Sequence, residues 1–339
     1  MWRGLSSRNR RIATGLNPRH GQVLSLAAPL AGKLEPIHLN RMTRRALLIV
    51  NTNSRIGAEG CETAKDSLLA NGITPIHVEC EKREDVSPLI VSWADKVDLV
   101  AVGGGDGTIN AAALGVIEAG LPLGVLPMGT ANDLARTLGI PPDIAAASRI
   151  IAAGRTRRID LGLVNGEPFF NVASIGLSAD LARRLTSEVK RRFGRLAYAF
   201  AAMNVLSHAR PFRATILSED EAVRVRTLQI AVGNGRYYGG GNAVEKNAAI
   251  DDGHLDLYSL ELQRAWKLAL MARSFRYGEH GAWDEVRAIR ATEFEIRTRR
   301  PRPVNADGEI VTTTPARFSM RRGAVIVFSP DPAGSTPAS

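Results

Sequence analysis

Two cysteines, Cys61 and Cys80, are all that the 339 residues contain. That scarcity excludes a disulfide framework and a cysteine-built zinc site, and it suits a reducing compartment. Also missing is any run of about 18 uncharged apolar residues. The nearest stretch, Ala111 to Gly129, is interrupted by Glu118, Pro122 and Pro127, so no membrane-crossing helix is expected. No Gly-Lys-Ser or Gly-Lys-Thr occurs, which removes the P-loop. His-Arg-Asp and Asp-Phe-Gly are absent, which removes the protein-kinase frame. The six histidines are scattered and form no His-Glu-x-x-His.

Positive charge is present but uneven. The chain carries a net +10. Residues 1–42 hold seven Lys and Arg against one acid, Glu35, and the remainder is only mildly basic. Global charge therefore gives no reason to expect a nucleic-acid partner. The first 42 residues show no stable helical or strand period and lack a small-residue cleavage site. They read as a basic tail, disordered or untranslated, with Met42 as an alternative start. Residues 330–339, rich in Pro, Ser and Ala, read as a disordered tail.

Between the tails the pattern changes once. Residues 43–157 alternate short apolar runs with helical spacing. Strands are predicted at Ala46–Val50, Ile73–Val78, Asp98–Val102 and Leu121–Leu126, and helices at Ala58–Ala70, Val86–Ala94 and Thr108–Ala119. Buried runs of that kind indicate a parallel sheet covered on both faces, with its ligand at the carboxyl ends of the strands. Residues 158–329 are strand-dominated: Arg158–Val164, Phe169–Ser174, Phe212–Leu217, Val223–Val232, His254–Leu260, Phe294–Thr298, Phe318–Arg321 and Ala324–Phe328. Two helical segments, Ser178–Leu206 and Arg264–Tyr277, interrupt them. The expected fold is an α/β N-terminal domain followed by a mostly antiparallel β-sandwich, whose last strands could return to the first domain.

Three segments carry chemistry. Gly103-Gly104-Gly105-Asp106-Gly107-Thr108 leaves a strand and opens a helix. Glycines there let backbone N–H groups approach an anion, and the helix N-terminus adds partial positive charge. A carboxylate among phosphates needs a cation between them, so Asp106 points to Mg²⁺; the plain alternative is a helix cap. Pro127–Asp133 also joins a strand to a helix. Thr130 offers a hydroxyl, and Asn132 either meets ligand or caps the helix. Asp307-Gly308-Glu309 offers a carboxylate able to take a hydroxyl proton, or merely a hairpin turn between Pro303–Ala306 and Ile310–Thr314.

Gly104–Thr108 together with Leu126–Asp133 resembles the bacterial diacylglycerol kinase-like lipid kinases, which share a catalytic domain with sphingosine, ceramide and eukaryotic diacylglycerol kinases. That likeness implies an NAD kinase/phosphofructokinase-like parallel sheet; the first motif alone also occurs in NAD kinases and phosphofructokinase-like enzymes. The resemblance runs from about Arg45 to Ser329. It implies ATP as phosphate donor, with Gly103, Gly104, Gly105, Gly107, Thr108, Thr130 and Asn132 around the nucleotide. It implies Asp106 as the Mg²⁺-orienting catalytic group and Glu309 as general base. Asn51 and Ser54 look like the family's phosphate-side turn. Asn234-Gly235 with Gly239–Gly241 looks like a further glycine-rich loop. Ala248–Asp256 is similar to a second metal loop, implying Mg²⁺ held by the Asp252 carboxylate and the carbonyls of Ala249 and His254. From sequence alone that loop reads equally as a β-turn. Ala111 stands where the family usually has Glu, Glu79 where it often has Thr, and Lys246 where it has Pro.

The resemblance also implies a membrane lipid acceptor, diacylglycerol or a related alcohol, met by a cytoplasmic enzyme docking peripherally at the inner face of the membrane. Arg183-Arg184, Lys190–Arg192 and Arg195, interleaved with Leu181, Leu185, Val189, Phe193 and Leu196, form a candidate interfacial helix or a solvated helix face. Arg297, Arg299, Arg300 and Arg302 form a second basic cluster. A homodimer stays open. Two other readings remain: an NAD kinase-like nucleotide phosphotransferase, and a nucleotide- and lipid-binding protein without turnover.

Overall fold

The computed structural model describes residues 43–50, 55–80, 82–184, 209–219, 221–235, 237–238, 242–243, 249–262 and 283–330. The N-terminal tail, Asn51 and Ser54, Lys246, Gly239–Gly241, most of Ser178–Leu206, the whole of Arg264–Tyr277 and residues 331–339 lie outside these.

The chain begins with strands and helices in alternation: β1 (Arg44–Val50), α1 (Arg55–Ala70), β2 (Ile73–His77), α2 (Val86–Ser92), β3 (Leu99–Gly104), α3 (Asp106–Ala119), β4 (Leu123–Pro127), α4 (Asp133–Leu138) and α5 (Ile144–Ala153). β2, β1, β3 and β4 lie side by side and parallel. Every residue of β3 and β4 is buried, as expected of strands covered on both faces. α1 packs on α5, and α2 on α3. The α2–α3 crossing is close because Gly115 has no side chain; a Cβ there would lie 2.7 Å from the Ser87 Cα. α4 and α5 are not among the helical ranges expected from the sequence. The signals of α5 are Asp143, whose carboxylate accepts from the Ala146 amide, and Gly154 in the left-handed conformation at its end.

The remaining elements are β5 (Thr156–Val164), β6 (Glu167–Phe169), β7 (Val172–Gly176), α6 (Leu177–Arg184), β8 (Phe212–Leu217), β9 (Ala222–Thr227), β10 (Gln229–Gly233), β11 (Tyr237–Tyr238), β12 (Asn242–Ala243), β13 (Leu255–Leu260), β14 (Val286–Ala291), β15 (Phe294–Thr298), β16 (Pro303–Ala306), β17 (Glu309–Thr313) and β18 (Ala316–Phe328). The parallel sheet continues from β4 through β18 to β15, β8 and β9, with β5 and β6 paired alongside. A second, wholly antiparallel sheet runs β14-β13-β10-β7-β16-β17. Phe169, Phe318, Phe294, Ile175, Val232 and Leu257 fill one apolar layer drawn from both sheets, so the C-terminal part is a β-sandwich. Burying each phenylalanine contributes about 2–3 kcal/mol.

Three segments differ from the sequence expectation. Val223–Val232 is two strands, not one. The Thr227 hydroxyl bonds to the Gln229 carbonyl (2.8 Å) and the Leu260 carbonyl (2.9 Å), and the chain passes from the first sheet to the second there. Phe169–Ser174 is also broken, at Phe170 and Asn171, because those amides turn away from any ladder to a carboxylate described below. Conversely, Phe318–Arg321 and Ala324–Phe328 are one strand, β18, bulged between Arg321 and Val325. Gly323 adopts a positive φ of 54° at that bulge, and its amide donates to Asp160 (2.6 Å).

Candidate active site

Parallel pairing brings the carboxyl ends of β1, β3 and β4 level: Val50 pairs with Gly103, Gly103 with Leu126, and Gly104 with Pro127. Both glycine-containing loops therefore leave the sheet at one edge. They touch backbone to backbone, and a Cβ on Gly129 would lie 2.4 Å from the Gly105 Cα. No side chain fits there. Gly105 occupies the N-cap position of α3, which starts at Asp106, two residues earlier than expected.

Asn132 sits at the N-cap position of α4 in the left-handed conformation, φ 50°, yet does not cap that helix. Its amide closes the loop on itself, accepting from the Gly129 amide and donating to the Gly129 carbonyl, both at 2.9 Å. The cap comes from the other loop. Asp106 Oδ1 accepts from the Leu134 amide at 3.0 Å. Asp106 thus ties the two loops together and caps its neighbour's helix rather than its own. Thr130 is exposed on the second loop.

The hairpin joining β16 and β17 approaches from the second sheet. Asp307 (φ 47°) and Gly308 (φ 99°) both take positive φ, the requirement of a two-residue type I′ turn. The Asp307 carboxylate is a hub. It accepts from the amides of Phe170 (2.7 Å), Asn171 (3.0 Å) and Val172 (3.1 Å), and from the Asn110 side chain (3.1 Å). Desolvation pushes its pKa up to about 6, against the lowering effect of the Phe170 and Val172 amides and with help from the nearby charge of Asp106. Donors to the ionised form are thus outweighed by burial.

Beyond the turn, Glu309 reaches over the first turn of α3. A Cβ on Gly107 would lie 2.9 Å from Glu309 Oε1. Glu309 Oε2 pairs with Arg83 Nη1 at 2.8 Å, with about half of the Glu309 side chain exposed (52%). Such a pair contributes only about 0–1 kcal/mol to stability, so its interest is geometric. A cavity of about 190 Å³ opens here, lined by Val50, Lys82, Arg83, Thr108, Ala111 and Glu309 among others.

The structure therefore brings Gly103–Thr108, the Thr130–Asn132 loop and Glu309 to one edge of the first sheet. Asn51 lies outside the described residues. Sequence reasoning misses Arg83 and Asn110, and it reads Asp307 only as part of a turn. Asn110 carries a signal: an amide set among apolar residues on α3, only 1% exposed. Arg83 carries none.

Asp252 is already engaged. Its carboxylate accepts from the amides of His254 (3.0 Å) and Ala249 (3.3 Å), and Arg290 Nη2 lies 2.6 Å away. Ala249, Asp252 and His254 therefore do not fit a divalent ion as they stand, because a guanidinium holds the only anionic ligand. Asp106 fits better. Its carboxylate stands at the start of α3, a helix end that favours anions, and its charge acts on Asp307, so a cation held there would balance negative charge from both. Asp160 links these regions: it accepts from the amides of Gly253 (2.8 Å) and Gly323, while Asn234 bridges the Asp160 and Phe170 carbonyls.

Comparison with known proteins decides the family. Residues 45–164 match the diacylglycerol kinase catalytic domain, and residues 171–329 the YegS C-terminal NAD kinase beta sandwich-like domain. A probable lipid kinase YegS-like of Pseudomonas syringae pv. syringae is 31% identical over 85% of this chain and 94% of its own length. The chain belongs to the diacylglycerol kinase-like lipid kinase family. A diacylglycerol kinase of Bacillus subtilis is 31% identical over 65% of this chain and 74% of its own. A crystal structure of a diacylglycerol kinase from Bacillus anthracis str. Sterne shares the fold, with TM-score 0.70 and 23% identity over 85% of this chain and 98% of that one.

Proposed function

We propose that this lipid-kinase family member transfers the γ-phosphoryl group of ATP, with Mg²⁺, to the hydroxyl of diacylglycerol or a related membrane lipid. The observation that carries this reading is Glu309 Oε1 lying over the first turn of α3, beside the glycine loop. A phosphoryl group seated on that helix end would have a carboxylate at hand for the attacking hydroxyl. The backbone of Gly103–Gly105, with Thr108 and Thr130, binds the phosphates. Asp106 holds Mg²⁺, which when bound neutralises charge on the phosphate oxygens. Glu309 accepts the lipid hydroxyl proton as the new O–P bond forms and the bond to the ADP oxygen breaks. Positioning and charge stabilisation supply most of the rate.

No helix among the described residues is long and apolar enough to cross a membrane. The lipid is met peripherally, at the inner face of the membrane, whose anionic surface would attract the cations that the sequence holds between Arg183 and Arg195. The test is transfer of ³²P from γ-labelled ATP to a total lipid extract in mixed micelles. A labelled lipid is expected, with the rate lowered about 10²- to 10⁴-fold in Glu309→Gln and ATP binding retained. ATP binding with no labelled lipid would overturn the proposal, and phosphorylation of NAD instead would replace it.

A further inference from the structure

We infer that Arg83 is a positioning residue for the transfer step: it fixes one oxygen of Glu309 so that the other faces the first turn of α3. The inference rests on the reading of Glu309 as the proton acceptor. It starts from what Glu309 lacks. The side chain lies on β17, the edge strand of the second sheet, and is half exposed. A glutamate so placed has several open rotamers.

Arg83 removes that freedom. It stands across the cavity, on the short helical turn Arg83–Asp85 before α2. Nη1 meets Glu309 Oε2 at 2.8 Å, and Nη2 donates to Asn110 Oδ1 at 2.8 Å. The guanidinium thus spans two oxygens on different elements, hydrogen-bonded to Asn110 and ion-paired, outside hydrogen-bond geometry, with Glu309; a single lysine ammonium does not span both.

Asn110 in turn has no choice of orientation. Its Nδ2 faces two acceptors, the Pro168 carbonyl (2.8 Å) and Asp307 Oδ2 (3.1 Å). Its Oδ1 must therefore face Arg83. Buried Asn110 pins the guanidinium, and the guanidinium pins Glu309. The ring closes through the backbone, because Asp307 and Glu309 are separated only by Gly308. Division of labour follows within one carboxylate: Oε2 is held, and Oε1 points at Gly107, whose missing side chain leaves the space.

The test uses Arg83→Met and Arg83→Lys, alone and combined with Glu309→Gln. Arg83→Met is expected to lower kcat about 10- to 100-fold, with KM for ATP within about twofold. Arg83→Lys should recover only part of that loss. In the Glu309→Gln background, Arg83→Met should change the residual rate by less than about twofold, because the residue it orients is gone. Additive losses, or a large rise in KM for ATP, would show that Arg83 grips phosphate instead and would overturn the inference. A readout without turnover separates the two proposals. In a crystal structure of Arg83→Met or Arg83→Lys, the Glu309 carboxylate should leave Gly107 or lose a single position. Glu309 unmoved in both variants defeats the positioning role whatever the lipid assay shows, whereas a wild-type protein that labels no lipid defeats only the kinase reading.

Discussion

The glycine loops of the first sheet and the Asp307 hairpin of the second meet at the first turn of α3, yet they are made rigid by opposite means. The loops are rigid because side chains are absent: Gly105 and Gly129 are in backbone contact, and Gly107 leaves room for Glu309. The hairpin is rigid because one side chain is present: Asp307 gathers three backbone amides and Asn110. Steric contact tolerates any pH. A carboxylate hub is conditional on its charge. The half of the site proposed to seat phosphate rests mainly on steric contact, with the Asp106–Leu134 bond beside it, and the half with the proposed proton acceptor rests on a buried titratable group.

Removing the hub should have the largest effect. Asp307→Ala leaves three amides without their acceptor and takes from Asn110 one of its two, at about 1–3 kcal/mol for each donor that water does not reach. The expected loss is about 3–5 kcal/mol in denaturant unfolding, together with loss of lipid phosphorylation. A loss below about 1 kcal/mol would mean that the hub does not hold the hairpin.

Titration of the same group tests its charge. With its pKa raised from 3.8 to about 6, native Asp307 keeps a proton between those values that the unfolded chain has released. Its contribution to stability is therefore greatest below pH 3.8 and is lost as pH rises through about 6. The stability gap between wild type and Asp307→Asn should accordingly be wider at pH 4 than at pH 7. Activity should run the other way, because protonation takes an acceptor from one of the four donors and so alters the local geometry of the turn that carries Glu309, even though the neutral group suits its buried place. Turnover should fall as pH drops below about 6. A gap that does not change over this range would contradict the raised pKa.

The two halves also differ in how far sequence alone exposes them. Strand-glycine-helix spacing is local, so Gly103–Thr108 and Pro127–Asp133 are visible as loops from that spacing. Parallel alternation likewise places their shared edge. Asp307 is legible only as a turn, since its partners at 170–172 are more than a hundred residues away. The break in the strand predicted over Phe169–Ser174 has the same origin: a carboxylate remote in sequence takes the amides a ladder would have used. Arg83 is the extreme case. Nothing near it in sequence distinguishes it from Lys82, and only the fold brings it to Glu309.

Gly129→Ala tests the steric half. Its Cβ would meet backbone rather than a yielding side chain, so the loops must separate. The expected cost is about 2–3 kcal/mol in stability, with a clear weakening of ATP binding by calorimetry. An alanine tolerated without change would show that the loops are not in contact. Asp106→Asn is milder for the fold, because its Oδ1 still accepts from Leu134. A stability loss below about 1 kcal/mol is expected, beside a much larger loss of phosphate transfer. Equal, small effects on both would reduce Asp106 to a helix cap.

The smallest effect concerns the 249–254 loop, which joins the two strategies: a carboxylate hub whose cation is a side chain. Arg290 and Asp252 are partly exposed, so Arg290→Ala should cost less than about 1 kcal/mol. The informative measurement is the thermal midpoint with and without EDTA, in the absence of nucleotide. If the guanidinium occupies the place of a divalent ion, chelation leaves the wild type unchanged. Arg290→Ala frees the Asp252 carboxylate, and its midpoint should then rise with added Mg²⁺. If EDTA instead lowers the wild-type midpoint by several degrees, the ion outcompetes Arg290. Asp252 would then share the dependence on bound metal proposed for Asp106.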